Sequence, residues 1–82
     1  MKKILYFTAS WCGPCKTLGP IIESLSSQIN YQKIDVDSNQ DMSIKYKVRN
    51  VPILILVDEN GEALNRLVGV STKEQILKLY NG

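Results

Sequence analysis

A strand-like apolar run lies directly before a turn and a helix, and this succession restricts the fold more than any other feature. Residues 4–7 are apolar, Gly13 and Pro14 mark a turn, and apolar residues then recur three and four positions apart. The run predicts a buried strand and the spacing predicts an amphipathic helix. Residues 31–36 predict a second strand, so the two strands form a parallel pair joined by a helical crossover. The apolar helix positions are Leu18, Ile21, Ile22, Leu25 and Ile29.

A short helix and a central strand follow. Ser38 or Asn39 is placed to cap a helix that runs to Tyr46. Residues 53–57 are apolar throughout, which is typical of a strand buried on both faces. The apolar residues of the short helix are Met42, Ile44 and Tyr46.

The remaining chain predicts a hairpin and a last helix. An Asn-Gly turn at residues 60–61 joins the central strand to an antiparallel strand at residues 63–68. Ser71 and Glu74 match a capping box for the last helix, whose apolar face holds Ile76, Leu77 and Tyr80. The order predicts an α/β fold with a four-stranded mixed sheet and three helices, as one domain over residues 1–82.

Composition excludes several function classes. The 82 residues carry a net charge of +2, without a basic run that would suggest nucleic-acid binding. No stretch approaches the ~20 apolar residues of a membrane span. The apolar run at the start is shorter than the ~7–15 residues that an export signal needs. We therefore expect a soluble, cytoplasmic protein that binds neither nucleic acid nor membrane.

Cys12 and Cys15 are the only cysteines, and the chain has no histidine. Thiols three positions apart at the start of a helix face the same side and can form a disulfide. The positive end of the helix dipole lowers the pKa of the Cys12 thiol and favours its thiolate. Cys12 is thus predicted to attack a partner disulfide, and Cys15 to resolve the mixed disulfide. We expect Cys12 to be exposed and Cys15 to be more buried.

The residues beside the cysteines are candidates for partner binding. Gly13 lets a partner backbone approach, and Pro14 stiffens the turn. Trp11 is either a core aromatic or a flat docking surface, and its place beside the nucleophile favours docking.

Residues 11–16, Trp-Cys-Gly-Pro-Cys-Lys, resemble the active-site signature of the thioredoxin family. The resemblance implies a minimal thioredoxin-like fold that lacks the usual first strand and helix. Its size is close to that of glutaredoxin and similar to short phage or archaeal members. Further matches to the family are Pro20 as a kink proline, Lys33, Asp37, a cis-proline loop at Val51-Pro52 that faces the cysteines, Gly61 in the hairpin and Gly69 in the docking groove.

The resemblance also implies the activity. It is that of a protein-disulfide reductase, a dithiol electron carrier with no bound cofactor besides the redox-active Cys12–Cys15 disulfide. The implied electron donor is thioredoxin reductase, and the acceptors are disulfide proteins such as ribonucleotide reductase. We expect a monomer. The cis-proline loop exposes the Val51 backbone, which can pair with an extended substrate segment.

Three positions depart from the family pattern. Tyr6 aligns with a buried aspartate that is thought to take the proton of the resolving thiol. A tyrosine is a poor base near neutral pH, which leaves water, Lys33 or Asp35 for this task. Thr8 stands in place of a tryptophan, and Ile53 in place of a polar residue, so partner choice is expected to differ.

Three alternatives stay open at this point. A glutaredoxin-like, glutathione-dependent reductase is disfavoured by Gly-Pro between the cysteines and by the segment 69–71, which lacks the glutathione-holding glycine and acid. A metal-binding module needs about four ligands, and one cysteine pair supplies two. A non-catalytic accessory subunit needs only the surface of the fold.

Overall fold

Seven elements follow one another in the predicted order β-α-β-α-β-β-α. The computed structural model describes the whole chain, residues 1–82. The elements are β1 (Lys3–Thr8), α1 (Gly13–Ser24), β2 (Tyr31–Asp35), α2 (Gln40–Lys45), β3 (Ile53–Val57), β4 (Ala63–Val68) and α3 (Lys73–Asn81).

The four strands form one mixed sheet in the order β2-β1-β3-β4. β1 runs parallel to β2 and antiparallel to β3, and β3 and β4 form an antiparallel hairpin. All five residues of β3 are buried, which confirms its predicted central place. Gly61 in the hairpin turn has a φ of 81°, a conformation that favours glycine.

Each face of the sheet is covered by different helices. Side chains alternate along β1, so Ile4 and Tyr6 pack with α1 and α3, while Leu5 and Phe7 pack on the α2 face. The helix residues buried on the first face are Leu18, Ile22, Ile76 and Leu79. The core therefore consists of two apolar layers separated by the sheet.

The first helix is shorter than predicted. α1 ends at Ser24, and residues 25–28 form turns, although Leu25 and Ile29 stay buried in the same layer. The Ser24 hydroxyl donates to the Ile21 carbonyl at 2.6 Å. Serine side chains compete in this way with the hydrogen bonds of the helical backbone. The helix therefore ends before the helical spacing of apolar residues does.

The cap of α3 lies one residue later than predicted. The N-cap is Thr72, and it exchanges hydrogen bonds with Gln75 instead of a Ser71–Glu74 pair. Ser71 is buried, and its hydroxyl donates to the Gly69 carbonyl at 3.4 Å. Because that hydroxyl is engaged, the next residue caps the helix.

The prediction for α2 is partly wrong. Asn39, one of the two predicted caps, is the N-cap, but its side chain makes no capping hydrogen bond. Met42 and Tyr46 face the core layer, whereas Ile44 is 76% exposed. A helix of one and a half turns has room for few inward positions, and Ile44 lies outside them.

Candidate functional site

Four loops meet at one edge of the sheet. The parallel register brings the ends of β1 and β2 together, and the antiparallel registers add the start of β3 and the end of β4. The segments at these ends contain Cys12, Asp37, Pro52 and Gly69. The topology thus gathers residues that are far apart in the sequence.

Cys12 and Cys15 form a disulfide with a Cα–Cα distance of 5.3 Å. Cys12 is the N-cap residue of α1, and its Sγ accepts a hydrogen bond from the backbone N–H of Cys15 at 3.2 Å. Unpaired N–H groups and the helix dipole favour negative charge at this position.

The two cysteines are equally buried, each with 4% of its surface exposed. The expectation of an exposed Cys12 and a more buried Cys15 is therefore wrong. Ala9, Val36 and Val51 pack against the pair, and the Val51 carbonyl oxygen lies 3.6 Å from Cys12 Sγ. Position at the helix start, and not exposure, distinguishes the two sulfurs.

The loop opposite Cys12 has unpaired backbone groups. The Val51–Pro52 peptide bond is cis, as the resemblance implies. Pro52 is fully buried, and its carbonyl accepts a hydrogen bond from Gly69 N–H at 2.9 Å. Neither backbone group of Val51 bonds to another backbone group. The Val51 N–H has no partner in the protein, and the Val51 carbonyl contacts only Cys12 Sγ.

Trp11 is not a core aromatic, because 68% of its surface is exposed. Its indole Nε1–H donates to Asp37 Oδ2 at 2.9 Å, which fixes the ring beside the disulfide. The ring lines a shallow pocket of about 240 Å³. The other lining residues are Val36, Val48, Arg49, Asn50 and Val51. Sequence reasoning missed Arg49. The only signal for its place in this pocket is its position just before the Val51-Pro52 loop.

Gly13 and Pro14 are exposed in the first turn of α1. A Cβ built on Gly13 would have no neighbour within 4 Å, so the space in front of it is open. The missing N–H of Pro14 costs nothing in this turn, where helix N–H groups have no internal partner.

A second opening, of about 350 Å³, reaches Cys15 from the other side. Lys33 lines it, whereas Asp35 does not and instead accepts a hydrogen bond from Asp37 N–H at 2.8 Å. Glu23, which sequence reasoning missed, lies two helical turns beyond Cys15 and also lines this cleft. The remaining lining residues are Tyr6, Thr8, Ala9, Ser10, Lys16, Gly19 and Pro20.

The basic residues around the disulfide are not neutralised by ion pairs. The single salt bridge of the protein joins the N-terminal amine to Glu59. Lys16, Lys33 and Arg49 therefore keep free positive charges near the site. The largest groove, between β4 and α3, contains none of the predicted site residues, so size alone does not locate the site.

The thioredoxin family model matches residues 1–81 of the chain. The chain belongs to the thioredoxin family. It is 37% identical to a thioredoxin of Staphylococcus epidermidis, with 96% of this chain and 79% of that protein aligned. It is 39% identical to a thioredoxin of Bacillus subtilis, with 92% and 75% aligned. The match favours thioredoxin over the glutaredoxin-like alternative.

Solved thioredoxin structures share the fold. A variant of the Halobacterium salinarum thioredoxin superposes with a TM-score of 0.88 at 38% identity, covering 98% of this chain and 72% of that one. The Schistosoma mansoni thioredoxin gives 0.88 at 32% identity, with 98% and 74% covered. The predicted thioredoxin-like fold, with its four-stranded mixed sheet and three helices, is confirmed.

Family membership and the disulfide-bonded pair identify the activity. The protein is a thiol–disulfide oxidoreductase that reduces protein disulfides. Its redox-active group is the Cys12–Cys15 disulfide. No helix has the length and apolar character needed to cross a membrane, and no cluster of three or more His, Cys, Asp or Glu side chains is arranged to hold a metal ion.

Proposed function

We propose that Cys12 is the attacking thiolate and Cys15 the resolving thiol in the reduction of partner disulfides. The observation that carries this assignment is the hydrogen bond from Cys15 N–H to Cys12 Sγ at the start of α1. It stabilises negative charge on Cys12 alone, because Cys15 lies inside the helix, beyond the N-cap. The thiolate is the nucleophile in disulfide exchange.

The partner docks across the surface formed by Trp11, Gly13, Pro14, the Val51-Pro52 loop and Gly69, here called the docking groove. An extended segment that carries the target cystine pairs with the free backbone groups of Val51, as a strand added to a sheet edge. The exposed face of Trp11 contributes apolar contact beside the attacked sulfur. The open space at Gly13 admits the partner backbone.

The electron donor is thioredoxin reductase, and the acceptors are disulfide proteins, ribonucleotide reductase among them. A bifunctional thioredoxin reductase/thioredoxin of Mycobacterium leprae supports this donor, since a stretch that covers 16% of that protein is 37% identical to 88% of this chain. The protein acts as a monomeric single domain over residues 1–82 in the cytoplasm. It holds no cofactor besides the Cys12–Cys15 disulfide.

Coupled turnover tests this function. The protein is supplied with insulin as the disulfide substrate, and NADPH oxidation is followed with thioredoxin reductase in one arm. The other arm contains glutathione and glutathione reductase. We expect turnover in the first arm. Turnover only with glutathione would contradict the proposal and restore the glutaredoxin-like alternative.

A further inference from the structure

Tyr6 is a buried phenol that the proposed mechanism leaves without a task. Its side chain lies on β1 and is 3% exposed, within the layer that packs on α1 and α3. A buried hydroxyl needs a hydrogen-bond partner. Tyr6 Oη–H donates to the backbone carbonyl of Cys15, with an oxygen–oxygen distance of 3.0 Å. The strand is thereby joined to the second cysteine.

The helical hydrogen bonding of α1 is interrupted one residue after Cys15, at the Lys16 carbonyl. In an α-helix each carbonyl accepts from the N–H four residues later. The carbonyl of Lys16 faces Pro20, which has no N–H, so it lacks this bond. Gly19 also has a low helix propensity, and a Cβ built on it would lie 3.8 Å from the Tyr6 hydroxyl. The turn that carries Cys15 therefore has one helical hydrogen bond fewer than a regular turn.

Both backbone polar groups of Cys15 form hydrogen bonds with side chains of the site. Its N–H donates to Cys12 Sγ, and its carbonyl accepts from Tyr6. We propose that Tyr6 is a positioning residue, which holds Cys15 within reach of the Cys12 sulfur during resolution of the mixed disulfide. This inference rests on the proposed roles of the two cysteines.

The chemistry of resolution leaves Tyr6 outside the proton transfer. The Cys15 thiol loses its proton to water in the open cleft, and its sulfur attacks Cys12 Sγ. The Sγ–Sγ bond forms as the bond between Cys12 Sγ and the partner sulfur breaks, and the partner sulfur leaves with the electron pair and takes up a proton. The two cysteines lose the two electrons that the partner disulfide gains. The Tyr6 hydroxyl donates to the Cys15 carbonyl and transfers no proton in this step.

Tyr6 should therefore affect one step of two. Attack by Cys12 on a partner needs the thiolate and an approaching disulfide. The N–H that stabilises this thiolate lies in the peptide unit before the Cys15 Cα, whereas Tyr6 bonds to the carbonyl of the peptide unit after it, so attack depends less on Tyr6 than resolution does. Resolution needs two sulfurs of the same chain in an attack geometry, and small displacements reduce its rate. Loss of one hydrogen bond that holds this geometry corresponds to roughly a two- to tenfold slower step.

Stopped-flow reaction of the reduced protein with the aromatic disulfide DTNB separates the two steps. Attack by Cys12 releases one coloured thiolate, and resolution by Cys15 releases the second. For Tyr6→Phe we expect the second phase to slow roughly two- to tenfold, while the first phase and the pH midpoint of the second stay unchanged. The matched control is Tyr31→Phe, which removes a hydroxyl from the same side of the sheet that takes part in no internal hydrogen bond.

Several results would overturn the inference. These are equal slowing of both phases, no slowing of either, the same slowing in Tyr31→Phe, and a shifted pH midpoint, which would mean that Tyr6 acts on the proton. Far-UV circular dichroism checks that each variant is folded. Cys15→Ser assigns the phases, because it should release only the first thiolate; release of both would instead contradict the proposed roles of the cysteines.

A double-mutant cycle gives an independent measurement. Pro20→Ala restores an N–H for the Lys16 carbonyl, so the turn that carries Cys15 gains a second attachment. In this background Tyr6→Phe should slow the second DTNB phase less than in the wild type, with the logarithm of the rate ratio reduced by at least about half. An undiminished loss would contradict the argument.

Discussion

Cys12 and Cys15 are equally buried, yet the protein on the Cys12 side differs from the protein on the Cys15 side. The Cys12 side has the docking groove, with an exposed indole and the unpaired backbone of Val51. The Cys15 side has an open cleft with charged residues and a buried phenol that donates to the backbone. The first surface suits recognition of a peptide, and the second suits exchange of a proton with water. The two sulfurs are similarly buried, but their different surroundings agree with the different roles that we propose for them.

The largest expected effect comes from replacing either cysteine. Cys12→Ser and Cys15→Ser should both abolish turnover of insulin, because each removes one sulfur of the couple. Only Cys15→Ser should accumulate a covalent adduct with the substrate, since attack still occurs and resolution does not. Non-reducing electrophoresis and mass spectrometry detect this adduct. An adduct on Cys12→Ser instead would mean that Cys15 attacks the substrate and Cys12 resolves the mixed disulfide.

Trp11→Ala tests the Cys12 side. Removing an exposed aromatic at the centre of the docking groove should lower kcat/KM for a protein disulfide about tenfold. Both phases of the DTNB reaction should change less than about twofold, because a small disulfide does not need the groove. Asp37→Asn is the control, because it removes the charge but keeps an acceptor for the indole N–H. Equal losses for insulin and DTNB would show that Trp11 acts on the cysteines and not on docking.

Gly69→Ala tests how firmly the docking groove is held. Gly69 has a φ of 89°, which alanine adopts only with strain, and its N–H bonds to Pro52. We expect a loss of about 1 kcal/mol or more in the free energy of unfolding, measured in urea. Gly13→Ala, with open space and no positive φ, should lose nothing. Equal stability of the two variants would contradict this reasoning.

Charge changes in the cleft should give the smallest effects. Lys33→Gln removes positive charge near Cys15 and should slow the second DTNB phase roughly twofold at low salt, while Glu23→Gln should accelerate it by a similar factor. Both residues are exposed, so both effects should vanish at high ionic strength. Effects on the first phase instead would mean that the charges act on Cys12.

Local patterns predicted most of the fold and the chemistry of the site. The bounds of β3 and β4 agree with the sequence, because apolar runs and an Asn-Gly turn are local signals. The burial of Cys12 could not be predicted locally, because the covering carbonyl of Val51 lies 39 residues away along the chain. The cap of α3 lies one residue later for a different reason: the Ser71 hydroxyl donates to the Gly69 carbonyl, a contact two residues away that the capping-box pattern does not encode.

The hydrogen bond that joins Gly69 to Pro52 has a consequence for how the docking groove can be observed. The Gly69 amide has an acceptor inside the protein, whereas the Val51 amide has none. In the free protein we therefore expect the Val51 amide to exchange its hydrogen with solvent readily and the Gly69 amide to be protected. A partner strand seated on Val51 would slow exchange there and leave Gly69 as it was. The two amides thus report separately on whether the groove is occupied and whether it is intact.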